Sequence, residues 1–518
     1  MKRLFLRRAA TLILGFLSGC NAILGIEHRE FIAPANEGCT NSLECDLGTF
    51  CTQGACSSDV PVFAGCQVLE PADTTDLLAY NWNEKPHVLG ALVRINNLGE
   101  KPRLDAMRLA IREINANGAV GPAHTPIAMV ACDYGGKDGT ASGTEAKVAI
   151  DGAISYLSEN LGARVVVAGS SSSATKTALD RILSRKLPVA LLSSFSTSTS
   201  LTDYADKLPG SDVGLLWRTA PDDTQQAKVL AQLAMQAKDL QGDGPTKLGI
   251  LYIDDTYGGP LNLGVATALG GKLPVKSISF PEDADQKVFE EKLDLLFKEQ
   301  PPPDALLFVG IDGAMVVDAY QALLDKKYDT NLKFLFLADA AKEAQTLLAS
   351  TISQPVKEMI NRSFGTAPYR SLTPNYGAMA DALLNDFGTI ADDFSFLAQS
   401  YDAAYIASYG LVWASARYPM FDGEAVATGF KKLSSGDATL LVGPSTWTAA
   451  TKGLTDTSPG EINISGTSGE LDFDPTNGQT SGPMEIWRPN APGTGFDTCA
   501  VCEPDKTDCD LTACITTP

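Results

Sequence analysis

Two segments rich in serine and threonine follow consecutive apolar runs of the chain. Residues 169–175 come directly after the run 164–168, and residues 193–202 come after the run 187–192. Loops at the carboxyl ends of parallel strands commonly hold ligands, and hydroxyls beside the unpaired N–H groups of a helix start can bind a carboxylate. Serine and threonine also cap helices, which is the alternative for either segment alone. Because both segments occur at successive strand ends, we favour a ligand site.

Residue patterns typical of catalysis are scarce. The sequence has no Gly-x-Ser-x-Gly elbow, no His-Glu-x-x-His motif and no phosphate-binding glycine loop after a predicted strand. Its three histidines offer little for a Ser-His-Asp triad. The acidic pairs Asp222/Asp223 and Asp254/Asp255 are typical of helix-start or loop-end charges rather than of an acid/base couple. We therefore expect a binding protein rather than an enzyme, without a cofactor or a metal ion.

Length and charge restrict the class of protein. A chain of 518 residues exceeds what one hydrophobic core normally serves, so two lobes with additions are expected. The net charge is −21, and residues 1–19 carry four basic side chains and no acid, so their removal gives −21 − 4 = −25. Such an acidic surface argues against nucleic acid as a partner and against a basic membrane-binding patch.

The N-terminus is typical of a bacterial secretion signal. Basic residues within 2–8 precede the apolar stretch 9–16, which is too short for a permanent membrane span. Residues 17–20, Leu-Ser-Gly-Cys, resemble the lipobox, in which the signal is cut before the cysteine and that cysteine is lipidated. An ordinary signal peptide with a chance cysteine is the alternative. A lipidated Cys20 would anchor the protein to a membrane, since each buried CH₂ contributes about 0.8 kcal/mol.

The cysteines predict disulfide bonds. Without Cys20 ten of the 11 cysteines remain, an even number that suits an oxidising envelope. They lie near the two ends, in 39–66 and 499–514, and only Cys132 falls in the central body. A Cys-x2-Cys pair can also indicate zinc or redox chemistry, but the secretion signal and the scarcity of histidine favour structural disulfides. The spacing leaves their pairing open.

Apolar runs alternate with amphipathic helices through most of the chain. The first series predicts strands at 88–95, 127–132, 164–168 and 187–192, separated by helices at 104–114, 141–157 and 174–183. The second predicts strands at 247–253, 275–280, 304–309 and 333–337, with helices at 223–238, 261–269, 285–298 and 314–325. Continuous apolar strands between helices imply parallel sheets covered on both faces. Two such series predict an α/β protein with two lobes.

Several segments together point to a known family. They include Trp-Arg-Thr-Ala-Pro-Asp-Asp at 217–223, Asp-Asp-Thr-Tyr-Gly at 254–258, Tyr-Asp-Ala-Ala at 401–404 and Gly-Thr-Ser-Gly-Glu-Leu-Asp-Phe-Asp at 466–474, besides the hydroxyl-rich segments. In number and order they resemble the type I periplasmic solute-binding proteins, in particular the leucine/isoleucine/valine-binding branch that serves ABC importers. The resemblance covers about residues 87–488.

The resemblance implies two lobes joined by three crossovers that close on a ligand. The implied segments are a signal peptide at 1–19, a tether at 20–38, a Cys-rich module at 39–66, a first lobe at 87–215 plus 366–455, a second lobe at 216–365 plus 456–490, and a Cys-rich tail at 491–518.

The resemblance also implies ligand-binding residues. Ser173 and Thr197 match the hydroxyls that hold an amino acid's carboxylate, and Phe195 matches a position that contributes backbone groups. Tyr257 matches a tyrosine that closes over the ligand from the second lobe; a tyrosine on the lobe surface is the alternative.

The acid that would bind an ammonium group is Asp339 in our first assignment and Asp312 in our second, although Asp339 could also cap a helix. Phe195 stands where the family commonly has alanine or glycine, and residues 310–313 lack an aromatic residue often found there. Both departures bear on the specificity rather than on the fold.

These features leave three candidate functions for the protein. The first is a lipid-anchored receptor that captures an amino acid or related carboxylate for an ABC permease. The second is a regulatory or sensory envelope lipoprotein of the same fold, which the Cys-rich ends favour. An envelope hydrolase is the third.

Overall fold

The computed structural model describes residues 38–515 except 72–73, 240, 371, 438, 457–459, 505 and 507–508. The predicted signal peptide, Cys20 and the tether up to residue 37 therefore lie outside the described residues. Within the described part, no helix has both the length and the apolar character that a membrane span requires.

Strands and helices alternate from residue 87 onward, as predicted. The strands are β1 (Phe50–Thr52), β2 (Ala55–Ser57), β3 (Cys66–Glu70), β4 (His87–Val93), β5 (Ile127–Asp133), β6 (Val165–Ala168), β7 (Ala190–Ser193), β8 (Leu216–Arg218), β9 (Leu248–Ile253), β10 (Val275–Phe280), β11 (Ala305–Val309), β12 (Phe334–Leu337), β13 (Ser363–Pro368), β14 (Thr439–Leu441), β15 (Asn463–Ser465), β16 (Met484–Pro489) and β17 (Phe496–Cys502). The helices are α1 (Glu100–Ala116), α2 (Gly143–Ser155), α3 (Ser172–Arg185), α4 (Asp223–Gln236), α5 (Gly258–Leu269), α6 (Gln286–Phe297), α7 (Gly313–Asp325), α8 (Ala344–Leu347), α9 (Gln354–Asn361), α10 (Pro374–Phe387), α11 (Leu397–Ser415), α12 (Gly423–Phe430), α13 (Trp447–Thr455) and α14 (Thr512–Ile515).

Two large sheets organise the molecule. The first has the order β3-β5-β4-β6-β7-β8, and all its strands are parallel except β3. The second has the order β10-β9-β11-β12-β13-β16-β17, in which all the strands are parallel except β16, which pairs antiparallel with both β13 and β17. Every residue of β4, β6 and β11 is buried, because helices cover both faces of a parallel sheet. We call each sheet with its helices a lobe.

The chain crosses between the lobes three times. It leaves the first lobe after β8, returns after β13, and leaves again between Phe473 of the first core and Met484 of the second. The structure differs here from the predicted segments, since β8 pairs with β7 of the first sheet. Residues 462–473 also belong to the first lobe, because their apolar side chains, Ile462, Ile464, Leu471 and Phe473, pack in its core.

Two of the segments that carried the family resemblance contact each other in the first lobe. The buried carboxylate of Asp402 in α11 accepts hydrogen bonds from the backbone N–H groups of Thr467 (2.9 Å) and Ser468 (2.8 Å). Their hydroxyls donate to the same carboxylate. These bonds fasten the returning loop 466–469 to α11, which gives the motif a structural role.

The ten described cysteines form disulfides, as predicted. The pairs are Cys39–Cys51, Cys45–Cys56, Cys66–Cys132, Cys499–Cys514 and Cys502–Cys509. The third bond joins β3 to β5, so the N-terminal module extends the first sheet. Phe50 of that module packs edge-on against Trp82 with ring centroids 5.0 Å apart. The module therefore completes its small core with first-lobe residues.

A candidate ligand site between the lobes

Part of each hydroxyl-rich segment caps or supports local structure. The Ser171 Oγ accepts the N–H of Ala174 and caps α3. The Ser193 Oγ donates to the Ser196 Oγ (2.8 Å), which donates to the Thr175 Oγ1 (2.6 Å). All three linked side chains are buried. This network holds the two segments together, so these hydroxyls shape the loops rather than offer themselves to a ligand.

Other hydroxyls of the same segments contact the second lobe directly. The Ser173 Oγ donates to the Asp255 Oδ2 (3.0 Å) and accepts the N–H of Thr256 (3.2 Å). The Ser198 Oγ donates to the Thr256 carbonyl (2.6 Å). The loop between β9 and α5 is thus hydrogen-bonded to the hydroxyl-rich segments of the first lobe.

Asp255 has two roles in that contact. Its Oδ1 accepts the N–H groups of Tyr257 (2.9 Å) and Gly258 (2.7 Å), and its other oxygen reaches Ser173. Burial raises the pKa of Asp255 to about 6, against the hydrogen bonds that lower it. The sequence predicted Asp255 as a charge at the end of a loop, which agrees with its bonds to Tyr257 and Gly258. It did not predict the contact with Ser173 of the other lobe.

Tyr257 and Asp339 are brought together. The Tyr257 hydroxyl donates to the Asp339 Oδ1 at 2.5 Å, and the N–H of Ala340 donates to the same oxygen at 2.8 Å. Both side chains are buried, and burial raises the pKa of each. Among the described residues, the Asp339 Oδ2 has no hydrogen-bond partner. Asp339 is therefore a buried carboxylate with one unused oxygen.

Asp223 adds a second buried acid to this pair. Asp222 caps α4 by accepting the N–H of Thr224 (3.0 Å), which leaves the Asp223 side chain free of that role. The N–H of Asp223 donates to the Thr197 carbonyl (2.7 Å) across the lobes. Burial and the neighbouring Asp339 raise the pKa of Asp223 well above its usual range.

Gln226 bridges the side chain of Asp223 and the backbone of Asp339. With its amide oriented to satisfy both neighbours, it donates to the Asp223 Oδ1 (2.9 Å) and accepts the N–H of Asp339 (3.0 Å). The Asp223 Oδ2, like the unused oxygen of Asp339, has no partner in the described part of the chain.

Arg103 of α1 fills the space beside Phe195. Its guanidinium carbon lies 3.7 Å from the centroid of the Phe195 ring and 5.7 Å from that of Phe396. The two rings meet edge-on at 4.6 Å. All three side chains are at most 6% exposed. Phe195 therefore fills the centre of the interface and packs against a cation there.

Glu343 of the second lobe faces this cation. Its Oε1 lies 3.9 Å from the Arg103 Nη2, and its Oε2 accepts the N–H of Gly313 (3.0 Å). Burial raises the pKa of Glu343 to about 7, with a further increase from Asp312. A Cβ on Gly99 would lie 1.7 Å from the Glu343 Oε1, so any larger residue at position 99 would displace the Glu343 carboxyl.

A groove beside this buried centre remains open. It has a volume of about 520 Å³ and is lined by residues of both lobes, among them Arg94, Ser142 and Ser173 of the first and Glu282, Asp312 and Asp318 of the second. Arg94 is paired with Glu100 at 2.7 Å. Asp312 caps α7 by accepting the N–H of Met315 (3.0 Å).

The six predicted site residues thus fall into two groups. Ser173 and Asp312 line the groove, whereas the other four, Phe195, Thr197, Tyr257 and Asp339, lie in the buried centre.

Sequence reasoning missed several residues of the centre. Arg103 precedes the apolar side chains that α1 buries, and nothing in the pattern marks it as part of a site. Asp223 could have been found, because a helix start needs one capping acid and the sequence supplies two. Glu343 and Phe396 carry no sequence signal that we recognise, since their positions depend on how the lobes meet.

Solved structures with the same fold bind small solutes. The chain is similar to the leucine-binding protein LivK of Thermotoga maritima (TM-score 0.58, 15% identity, 81% of this chain and 99% of that one). It is similar to LivJ of Streptococcus pneumoniae in complex with isoleucine (TM-score 0.57, 16% identity, 81% of this chain and 100% of that one). It also resembles a solute-binding protein of an ABC transporter from R. palustris in complex with 4-hydroxybenzoate (TM-score 0.59, 12% identity, 81% of this chain and 98% of that one).

These likenesses, with the two facing lobes and their three crossovers, define the type I periplasmic-binding fold that the sequence predicted. No protein-family model matches the sequence, and no curated protein matches it either. At such low identities the likeness shows the fold alone. The neighbours themselves are a leucine-binding protein, a substrate-binding protein of a branched-chain amino acid transporter and a solute-binding protein of an ABC transporter.

Proposed function

We propose that this protein is an extracytoplasmic receptor that captures a small polar solute, an amino acid or related carboxylate, between its two lobes. One observation carries the proposal. The hydroxyl-rich segments of the first lobe meet the second lobe directly, next to a groove of about 520 Å³ that both lobes line. Pockets of this size, with a few converging polar groups, suit small ligands.

In this proposal Ser173 would hold the carboxylate of the solute. It already donates to one, that of Asp255, at the first turn of α3. A solute carboxylate would take the place of Asp255 when the loop between β9 and α5 moves away. On the second lobe, Asp312 at the groove or Asp339 in the centre would accept an ammonium group. Closure would then depend on the solute binding the closed form more tightly than the open one.

The N-terminal sequence supports a location outside the cytoplasm. The basic residues, the apolar stretch and Leu-Ser-Gly-Cys at 17–20 indicate cleavage before Cys20 and attachment of lipid to it. We propose that the anchored protein passes its solute to an ABC permease. The net charge of −21 favours neither nucleic acid nor a basic membrane contact.

Calorimetry with a panel of solutes tests the capture function. Leucine, isoleucine, a basic amino acid and 4-hydroxybenzoate would be titrated into the full mature chain, with unfolding temperature as a second measurement. We expect at least one solute to bind, and Ser173→Ala to weaken it. Ser184→Ala is the matched control, because Ser184 is an exposed serine of the same helix. If no solute bound and a purified envelope protein did, solute capture would be ruled out.

A regulatory or sensory lipoprotein is the second candidate. The observation that favours it is the filled centre, where Arg103 lies against Phe195 in place of open space. The double variant Ser173→Ala/Thr197→Ala separates the two candidates. It should abolish solute capture but leave binding to a partner protein intact.

A further inference from the structure

The centre of the lobe interface contains more acid than base. The carboxyl groups of Asp223, Asp339 and Glu343 are buried there, each no more than 2% exposed. Burial lowers the pKa of Arg103, whereas the acids Glu343, Glu100 and Asp339 raise it. Glu100 is itself paired with the nearby Arg94 at 2.7 Å. A buried carboxylate without a counter-charge is costly. Of the three acids, Glu343 and Asp339 therefore face Arg103, whereas Asp223 faces the buried guanidinium of Arg218.

Several polar atoms of the same centre have no hydrogen-bond partner in the described part of the chain. They are the Arg103 Nη2, the Ser395 Oγ, the Asp223 Oδ2 and the Asp339 Oδ2. The carbonyl of Ser395 does accept the Arg103 Nε, at 3.4 Å. Buried polar groups in folded proteins are nearly always hydrogen-bonded, so the centre has unused hydrogen-bonding capacity, and two of the unused atoms are oxygens of carboxyl groups.

The aromatic rings add a second preference for a cation. A guanidinium stacked within about 6 Å of a ring is attracted by the negative face of that ring. Phe195 and Phe396 provide two rings at right angles around the Arg103 guanidinium. Rings and carboxylates together form a box that suits a flat cation.

We propose that this centre is a cation site which the chain fills with its own Arg103, and that the captured solute carries a guanidinium or ammonium group which replaces it. The inference rests on the proposed function and names the ligand class of its site. Phe195 and Phe396 hold the cation, while Asp339 and Glu343 face it from the second lobe. A solute must displace the tethered guanidinium. Its apparent affinity is therefore the intrinsic affinity multiplied by the fraction of molecules in which Arg103 has left the site.

Chemical rescue tests the proposal. Arg103→Ala should unfold at a lower temperature than the wild type, and methylguanidinium should restore part of the loss. Methylguanidinium should bind the variant at least about tenfold more tightly than the wild type, where Arg103 competes. Methylurea, its neutral counterpart in shape, should restore nothing. If Arg103→Ala does not fold, Arg103→Gln keeps the aliphatic stem and serves in its place.

Two further variants give the controls. Arg164→Ala removes another buried arginine stacked on a phenylalanine, Phe421 at 4.7 Å, but within the first lobe. Equal rescue there would mean that methylguanidinium fills any such cavity, and the proposal would be overturned. Adding Glu343→Gln to Arg103→Ala should abolish most of the rescue; undiminished rescue would also overturn it.

The two proposals fail in different ways. If the wild type binds leucine or 4-hydroxybenzoate and Arg103→Ala is not rescued, solute capture stands and the cation site is wrong. If rescue occurs and no solute of any charge binds the wild type, the cation site stands and solute capture is wrong.

Discussion

The Ser173 hydroxyl in the first lobe donates a 3.0 Å hydrogen bond to the Asp255 carboxylate in the second. The hydroxyl that the sequence assigned to a ligand carboxylate thus holds a carboxylate of the protein itself. The N–H of Thr256 donates to the same hydroxyl at 3.2 Å. Ser173 is therefore both a contact between the lobes and a candidate ligand group.

Ser173→Ala should loosen this contact. Removing one hydrogen bond to a charged group costs about 1.5–3 kcal/mol, and the half-buried site lets water replace part of it. We expect the free energy of unfolding to fall by about 1 kcal/mol, and the amides of 255–258 to exchange hydrogen faster. Urea unfolding measures the change in free energy, and hydrogen exchange measures the protection of the amides. Ser184→Ala should change neither; equal effects from the two variants would contradict the assignment.

Phe195→Ala should leave a cavity at the centre. Replacing a buried phenylalanine by alanine typically costs about 3–5 kcal/mol, and here the stacking of Arg103 is lost as well. We expect a lower midpoint of urea unfolding. Leu263→Ala is the control, because Leu263 is 67% exposed and should cost less than about 0.5 kcal/mol. A loss for Phe195→Ala no larger than for this control would mean that the centre is loosely packed.

The contribution of Glu343 to stability should decrease as the pH rises from about 4.5 to about 7. Burial raises the pKa of Glu343 from 4.5 to about 7, so the folded protein keeps a proton that the unfolded chain has lost. The contribution of this group is complete below its unfolded pKa and is lost as the pH rises through the folded one. Asp255, with its pKa raised to about 6, acts in the same direction. Each unit of pKa corresponds to about 1.4 kcal/mol.

Urea unfolding at several pH values measures this dependence. Glu343→Gln should flatten it, since glutamine keeps the shape of the side chain without the titrating group. Glu358→Gln, at an exposed glutamate of α9, should leave it unchanged. A steeper decline in Glu343→Gln than in the wild type would reverse the sign that we assign.

Cys20→Ser should release the protein from the membrane. Without the thiol no lipid can be attached, so a protein that fractionates with membranes should become soluble after secretion. Immunoblots of membrane and soluble fractions measure the change, with intact secretion as the condition. Asn21→Ser is the control, since it leaves Cys20 in place. Continued membrane association of Cys20→Ser would show that the anchor lies elsewhere.

The sequence was sufficient for the fold because its signals are local. Continuous apolar strands such as Ile127–Asp133 alternate with helices over two series, and only parallel sheets covered on both faces accommodate that order. The secretion context and the number of cysteines also predicted disulfides. Their pairing was not predictable, because Cys66 meets Cys132 only through the antiparallel pairing of β3 with β5.

The site was predictable in part. Tyr257 and Asp339 were assigned to one site, and the Tyr257 hydroxyl does lie 2.5 Å from the Asp339 Oδ1. Each residue belongs to the segment that follows a strand of the second sheet. Asp312 was assigned to the same site but caps α7 and faces the groove.

What only the tertiary structure decided is the meeting of the lobes. Arg103, Phe195 and Glu343 come from three distant parts of the chain. In the sequence each is an ordinary residue of a helix, of a loop or of a helix start. Their common burial depends on the relative position of two lobes, for which no periodicity or motif exists. The sequence therefore determined that the chain forms two facing α/β lobes with hydroxyl-rich loops between them, and the tertiary structure decided that an arginine of the chain lies at their centre.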